Sequence, residues 1–368
     1  MNSKSRLRLF SFVLVLFAAG LAGIAMNRSR IAFQIEKFRQ GRLADTHPVL
    51  DLVQTLSGDE PVLPANKRGA RGYSSVSFNH DGTAMAASTR EGITVWSTET
   101  WQITHRFMCP SGQSLAFSPD DHSILTSGNY NMTGVELNIW DLTTGKVVRT
   151  FKVGYTVRGW ASFSLDGDWV AMTSEEGGGV VKIWDIQSGE LLQTLKGVDP
   201  NCEFAFLSSD FALPGPGLVL KPKVIATAIL GNGIQLWDAT TGRRLQTLQS
   251  SNGLNGRMAA QGQGANDLAF LGWDGLAFWR ATGTEVRSRG HLNLKGISSV
   301  AWMAGGKQIA VGFKDGTVHF WDLQYGFQLK SLQAHTKTVQ ALACEPSGKW
   351  VATIGPDGDL KVWKVSKA

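Results

Sequence analysis

Three cysteines, seven histidines and scattered carboxylates are the residues of this 368-residue chain that could do chemistry. Cys109, Cys202 and Cys344 are odd in number and far apart, which excludes a disulfide framework and a Cys-based zinc motif. They read as small buried or loop residues. The histidines form no pair at metal-ligand spacing, and no H-E-x-x-H occurs. Lys307 and Lys349 each follow a Gly, but neither precedes Ser or Thr, so no phosphate loop is formed. No Ser sits in a G-x-S-x-G elbow. Glu175 and Glu176 are adjacent in a loop and read as solvated. No cofactor or metal is expected, and the chain reads as not an enzyme. An active site assembled from residues distant in sequence stays open as the alternative.

The formal charge of +6 is unevenly placed. Residues 1–42 hold eight Lys/Arg and one acid, Glu36, while the remainder holds 28 Lys/Arg against 29 Asp/Glu. The body is therefore neutral and offers no general attraction to phosphate backbones, so no nucleic acid is expected as a partner.

The elements that would position any site follow a period. Trp96, Trp140, Trp184, Trp237, Trp279, Trp321 and Trp363 stand at spacings of 44, 44, 53, 42, 42 and 42 residues, each closing an apolar run. Gly145, Gly189, Gly242 and Gly326 each lie five residues after their tryptophan, between two strand-like runs. A short polar stretch ending in Gly reads there as a hairpin turn, since Gly accepts positive φ cheaply. Upstream of each tryptophan lie two more runs, as in VQALACEPSGKWVATIGPDGDLKVW from Val339 to Trp363. Each unit is a four-stranded antiparallel meander that must stack on its neighbours. A period of roughly 40–45 residues is the signature of a propeller.

These units resemble the WD-repeat β-propeller family. The Trp-Asp pair stands at Trp140-Asp141, Trp184-Asp185, Trp237-Asp238 and Trp321-Asp322, and departs to Ser97, Arg280 and Lys364 elsewhere. SFNHDG from Ser77, AFSPDD from Ala116 and SFSLDG from Ser162 match the family's turn between first and second strands. The resemblance covers roughly residues 50–367. It implies an all-β, seven-bladed propeller of four-stranded antiparallel blades. It also implies a hydrogen-bonded tetrad of His, Ser or Thr, Asp and Trp. Only the last unit fits that tetrad fully, with His335, Thr353, Asp357 and Trp363. The resemblance makes His335 and Asp357 structural rather than an acid/base pair. The sixth unit has Val311 in the Ser/Thr position and the fifth has Trp273 in the Asp position.

The last unit lacks a fourth strand after Trp363. DLVQTLSG from Asp51 echoes the LQTL segments at 192–195 and 245–248, so residues 51–56 are expected to pair with Leu360–Trp363 and close the ring. A propeller over 47–368 is the expected domain, completed by a single chain as a monomer. FALPGPGLVLKPK from Phe211 is an insertion between the first and second strands of the fourth unit.

Residues 9–26 are apolar apart from Ser11 and follow Lys4, Arg6 and Arg8. Residues 1–27 are therefore expected to be a membrane anchor or a signal peptide. Ile31, Ile35 and Phe38 mark residues 28–46 as a basic amphipathic linker. The expected location is a single-pass anchor with the propeller outside the cytoplasm, or secretion after signal cleavage.

The resemblance implies a scaffold for other proteins, with a small-molecule or glycan sensor at the central channel as a further alternative. The expected docking face carries the loops entering each first strand and those joining second to third strands. There Phe107, Met108, Tyr130, Met132, Tyr155 and Arg158 supply side-chain types enriched at interface cores.

Overall fold

The computed structural model describes residues 49–366, except 57–72, 90–91, 109–113, 130–133, 155–158, 200–201, 208–222, 230–232, 250–253, 261–266, 273–274, 283–284, 304–305, 324–325 and 357. The described strands form seven four-stranded antiparallel sheets. Blades 1 to 6 are sequential meanders over 75–108, 114–154, 161–196, 204–249, 254–293 and 297–333. Blade 7 takes three strands from 341–366 and its outermost strand, Val49–Leu56, from the other end of the chain. That strand pairs antiparallel with Leu360–Ser366, from Val49 opposite Ser366 to Leu56 opposite Leu360. Each blade's first strand lies beside those of the two adjacent blades, and blade 7's lies beside blade 1's, so the first strands ring a central axis.

The core sits between blades. Val95 and Phe107 of blade 1 pack on Phe117 and Ile124 of blade 2, while Met85 and Trp96 meet Trp350 and Leu360 of blade 7. A strand such as Gln308–Phe313 is buried along almost its whole length because neighbours cover both its faces. Fully burying one large apolar side chain contributes roughly 1.5–3 kcal/mol. No blade can retain that contribution without its neighbours.

Turn chemistry repeats with two instructive exceptions. Asp141 and Asp185 accept the backbone N–H of Thr144 at 2.6 Å and of Ser188 at 2.7 Å, and Gly145 and Gly189 follow with positive φ. In blade 1 that glycine position is Trp101, at φ 56°, held edge-on against Trp350 of blade 7 at 5.0 Å. In blade 2 the position of Gly82 and Gly167 is occupied by Asp121, at φ 59°. A left-handed non-glycine residue costs about 1–2 kcal/mol. Here the carboxylate accepts the backbone N–H of His80 at 2.8 Å and of Asp81 at 2.9 Å, and lies 2.8 Å from His80 Nδ1. Asp121 thereby ties blade 2 to blade 1.

The expectation of a single-pass N-terminal anchor is overturned. Among the described residues no helix is long and apolar enough to cross a membrane. Their long apolar runs are strands, consumed by packing between blades. Residues 1–27 and 28–46, with the apolar run 9–26, lie outside the described residues. The insertion at 211–223 belongs between the first strand of blade 4, Phe204–Leu207, and its second, Val224–Ile229; residues 208–222 lie outside the described residues.

Candidate functional site

A cavity of about 410 Å³ opens between the first strands of blades 1 to 4. Ser77, Ala116, Ser162 and Ala205 occupy one register position in these four strands, and their small side chains leave the axis open. At the end where the chain enters the first strands stand Trp160 and Glu203. At the opposite, turn-bearing end stand His80 and Leu165.

Trp160 is 37% exposed on a rigid footing. Its N–H donates to Thr173 Oγ1 at 2.9 Å, and its carbonyl accepts the N–H of Thr173 at 3.0 Å. The next residue, Ala161, donates its N–H to Ser114 Oγ of blade 2 at 3.0 Å. Trp160 and Glu203 share one register position in adjacent blades, which Ser75, Ser114, Ser299 and Ala341 hold in blades 1, 2, 6 and 7. His80 lies in the turn two residues past Phe78, where the first strand of blade 1 ends. Glu203 and His80 thus line opposite ends of the cavity. Beside the site Cys202 is fully buried. Burial first, then the charges of Asp199 and Glu203, push its thiol far above the ordinary range, so it is not a nucleophile. Cys109 lies outside the described residues.

The expected docking residues divide. Phe107 is 4% exposed and packs on Trp140 with ring centroids 5.5 Å apart, so it belongs to the core between blades 1 and 2. This corrects its assignment to a docking patch: alternation along Ile103–Met108 turns Phe107 inward and Met108 outward. Met108 is 51% exposed, at the strand end nearest the entry loops. Tyr130, Met132, Tyr155 and Arg158 lie outside the described residues.

Three members of the expected tetrad meet. Trp363 Nε1 donates to Thr353 Oγ1 at 3.0 Å, and His335 Nε2 lies 3.0 Å from the same oxygen. Asp357 lies outside the described residues. The same Trp–Thr bond recurs at 3.0 Å from Trp140 to Thr126 and from Trp237 to Thr227. Thr126 escapes a fixed ten-residue spacing because it lies fourteen residues before its tryptophan, across the loop of NYNMTG. Trp160 and Glu203 also escaped sequence reasoning. Trp160 is off the repeat period, and an off-period tryptophan beside a first strand was the one available signal.

The sequence model of the WD domain, G-beta repeat, matches residues 283–322 and 326–364. Among curated proteins, an Arabidopsis thaliana "WD repeat-containing protein WDS homolog" is 23% identical over 69% of this chain and 46% of its own length. "Cell division cycle 20.1, cofactor of APC complex" from the same plant is 30% identical over 38% of this chain and 32% of its own. "Telomerase protein component 1" of Mus musculus is 27% identical over 50% of this chain and 7% of its own. The chain thus spans less than half the length of these relatives. Among solved structures, the β-propeller domain of Myceliophteria_thermophila Cps50 (Swd1) superposes with a TM-score of 0.69 at 15% identity, covering 86% of this chain and all of that one. Residues 283–322 and 326–364 thus match WD repeats, and with seven meanders, their Trp-Asp turns, recurring Trp–Thr bonds and these matches in agreement, the chain is similar to the WD-repeat β-propeller family.

Proposed function

We propose that this protein is a non-catalytic scaffold that docks other proteins on its entry-loop face. The observation that carries the reading is the exposure of Met108 and Trp160, both on that one face. Met and Trp suit a docking surface because each covers much apolar area with few groups to order. The placement of Glu203 and His80 at opposite ends of the cavity supports the non-catalytic part, since acid/base partners must reach the same reacting atoms. One relative's name, a cofactor of a complex, accords with the reading.

The test compares partner capture by the full chain with capture by a variant combining Met108→Asp with Tyr130→Ala, Tyr155→Ala and Arg158→Ala. Leu165→Asp, on the opposite face, is the control. We expect the combined variant to lose proteins that the wild type and the control retain, at unchanged melting temperature. Retention by the combined variant, or equal loss in the control, would overturn the reading.

A further inference from the structure

We infer that the lysines on the entry-loop side of blades 6 and 7 dock a short run of Asp and Glu side chains on the protein that this face receives. The inference rests on the scaffold reading and names the chemistry of the docked partner. Lys295 lies in the entry to blade 6, Lys314 directly after that blade's second strand, and Lys337 in the entry to blade 7, so all three belong to the face of Met108 and Trp160. Their segments are bonded to one another. The N–H of Lys314 donates at 2.8 Å to the carbonyl of Gly296, the neighbour of Lys295. Thr338 Oγ1, beside Lys337, donates to the carbonyl of Lys314 at 3.1 Å. All three lysines are exposed, and among the described residues none of their ammonium groups has an ion pair or a hydrogen bond. Lys361 adds a fourth charge, its ammonium donating to the carbonyl of Ala334 in the same entry loop at 2.8 Å. Against these stand Asp315 and Asp359 among the described residues of the same turns. Asp315 accepts the N–H and the hydroxyl of Thr317 at 2.9 and 2.6 Å, so its carboxylate is already engaged. The excess of ammonium groups on an otherwise neutral body makes a local positive field that attracts carboxylates.

The loop that carries Lys337 is set in advance. Ala334 and His335 donate their N–H groups to the carbonyl of Gly316 at 3.0 and 3.1 Å, and Val339 donates to Phe313 at 3.0 Å. A Cβ at Gly316 would collide with the carbonyls of His335 and Lys337, so glycine is what lets the loop lie this close. Between those anchors the N–H groups of Thr336, Lys337 and Thr338 have no acceptor among the described residues. They add backbone donors beside the ammonium groups, on a loop that needs little ordering when an anion binds. The rest of the face favours a protein over a phosphate backbone. Toward blades 3 and 4 it carries Glu175, Glu176, Asp199 and Glu203, which repel a polyanion laid across it. A folded partner that sets carboxylates on blades 6 and 7, and apolar surface over Met108 and Trp160, avoids that repulsion. The uneven charge then fixes its orientation.

The experiment titrates the full chain with rhodamine-labelled hexaglutamate, hexaglutamine and oligothymidylate, read by fluorescence anisotropy. Residues 1–42 are basic as well, so variants with the same change of charge are compared. One combines Lys295→Gln, Lys314→Gln and Lys337→Gln. A second combines Lys307→Gln, Lys349→Gln and Lys364→Gln on the opposite face, and a third Arg28→Gln, Arg30→Gln and Arg39→Gln. We expect hexaglutamate to bind the wild type, more weakly as salt is raised, and hexaglutamine not to bind. The first variant should weaken hexaglutamate by about tenfold, and the other two by less than about twofold. Failure of hexaglutamate to bind, a loss as large in either control, or oligothymidylate binding that is tighter and falls with the same three lysines overturns the inference. The combined docking variant, which leaves these lysines intact, separates the two readings. Hexaglutamate binding indifferent to the lysine variant removes this inference and leaves the scaffold, whereas retained protein capture by the docking variant removes the scaffold itself.

Discussion

Blades 6 and 7 are neighbours, the segments matched by the family's sequence model cover most of blade 6 and three strands of blade 7, and the two hold themselves together differently. In blade 7 Thr353 sits two residues beyond the register partner of Trp363, where its hydroxyl takes the indole N–H and meets His335. In blade 6 the same register position is Val311. There the buried Trp321 Nε1, and His291 Nε2 in the strand leading into the blade, have no hydrogen-bond partner among the described residues. Yet the two blades have the same four-stranded order. The difference teaches that packing between blades makes the fold and the polar bonds adjust its stability. A second contrast is covalent: blade 6 is one continuous segment, and blade 7 joins both ends of the ring.

The largest effect is expected from breaking that junction. Deleting residues 1–56 removes the strand Val49–Leu56 and bares the edge of Leu360–Ser366. Cooperative thermal unfolding, followed by circular dichroism, should vanish, while deletion of 1–42 should preserve it. Equal melting of the two truncations would show that blade 7 does not depend on its borrowed strand.

A reciprocal exchange sharpens the polar contrast. Thr353→Val leaves the Trp363 indole N–H buried without its acceptor and should cost about 1–3 kcal/mol in urea unfolding. Val311→Thr supplies the missing acceptor in blade 6 and should gain about 0.5–1.5 kcal/mol. If Thr353→Val is neutral, the two blades are held alike after all and the comparison fails.

The smallest effect is a pH dependence confined to blade 6. His319 lies with its ring centroid 4.3 Å from that of Phe313, and desolvation lowers its pKa below the ordinary 6.5, against a weaker opposing effect of Asp315. The unfolded chain therefore takes up the proton first. Stability contributed by neutral His319 is present above pH 6.5 and is lost as pH falls below it, until the folded form also protonates. His319→Leu should flatten the acid side of the stability curve just below pH 6.5. An unchanged slope would exclude His319 as its source.

The docking patch was only partly legible. Phe107 stands eleven residues after Trp96, as Phe151, Leu195 and Leu248 stand after their tryptophans, and the repeated apolar position marks it as core. Composition of the loop suggested a surface role, but strand alternation decided otherwise. Thr126 was hidden by a loop that changes its sequence distance to Trp140 without changing the register between their strands.

By itself the sequence determined the number of blades, their four-strand order and the turns between third and fourth strands. Those features repeat because every blade meets the same packing demand, and repetition is visible in one dimension. Only the tertiary structure decided that Trp160 and Glu203 face one opening, that Asp121 ties two blades together, and that Val311 leaves Trp321 without an acceptor. These depend on adjacency between blades or on strand register, and residues roughly 40 apart in the chain become neighbours only once the ring of first strands has closed.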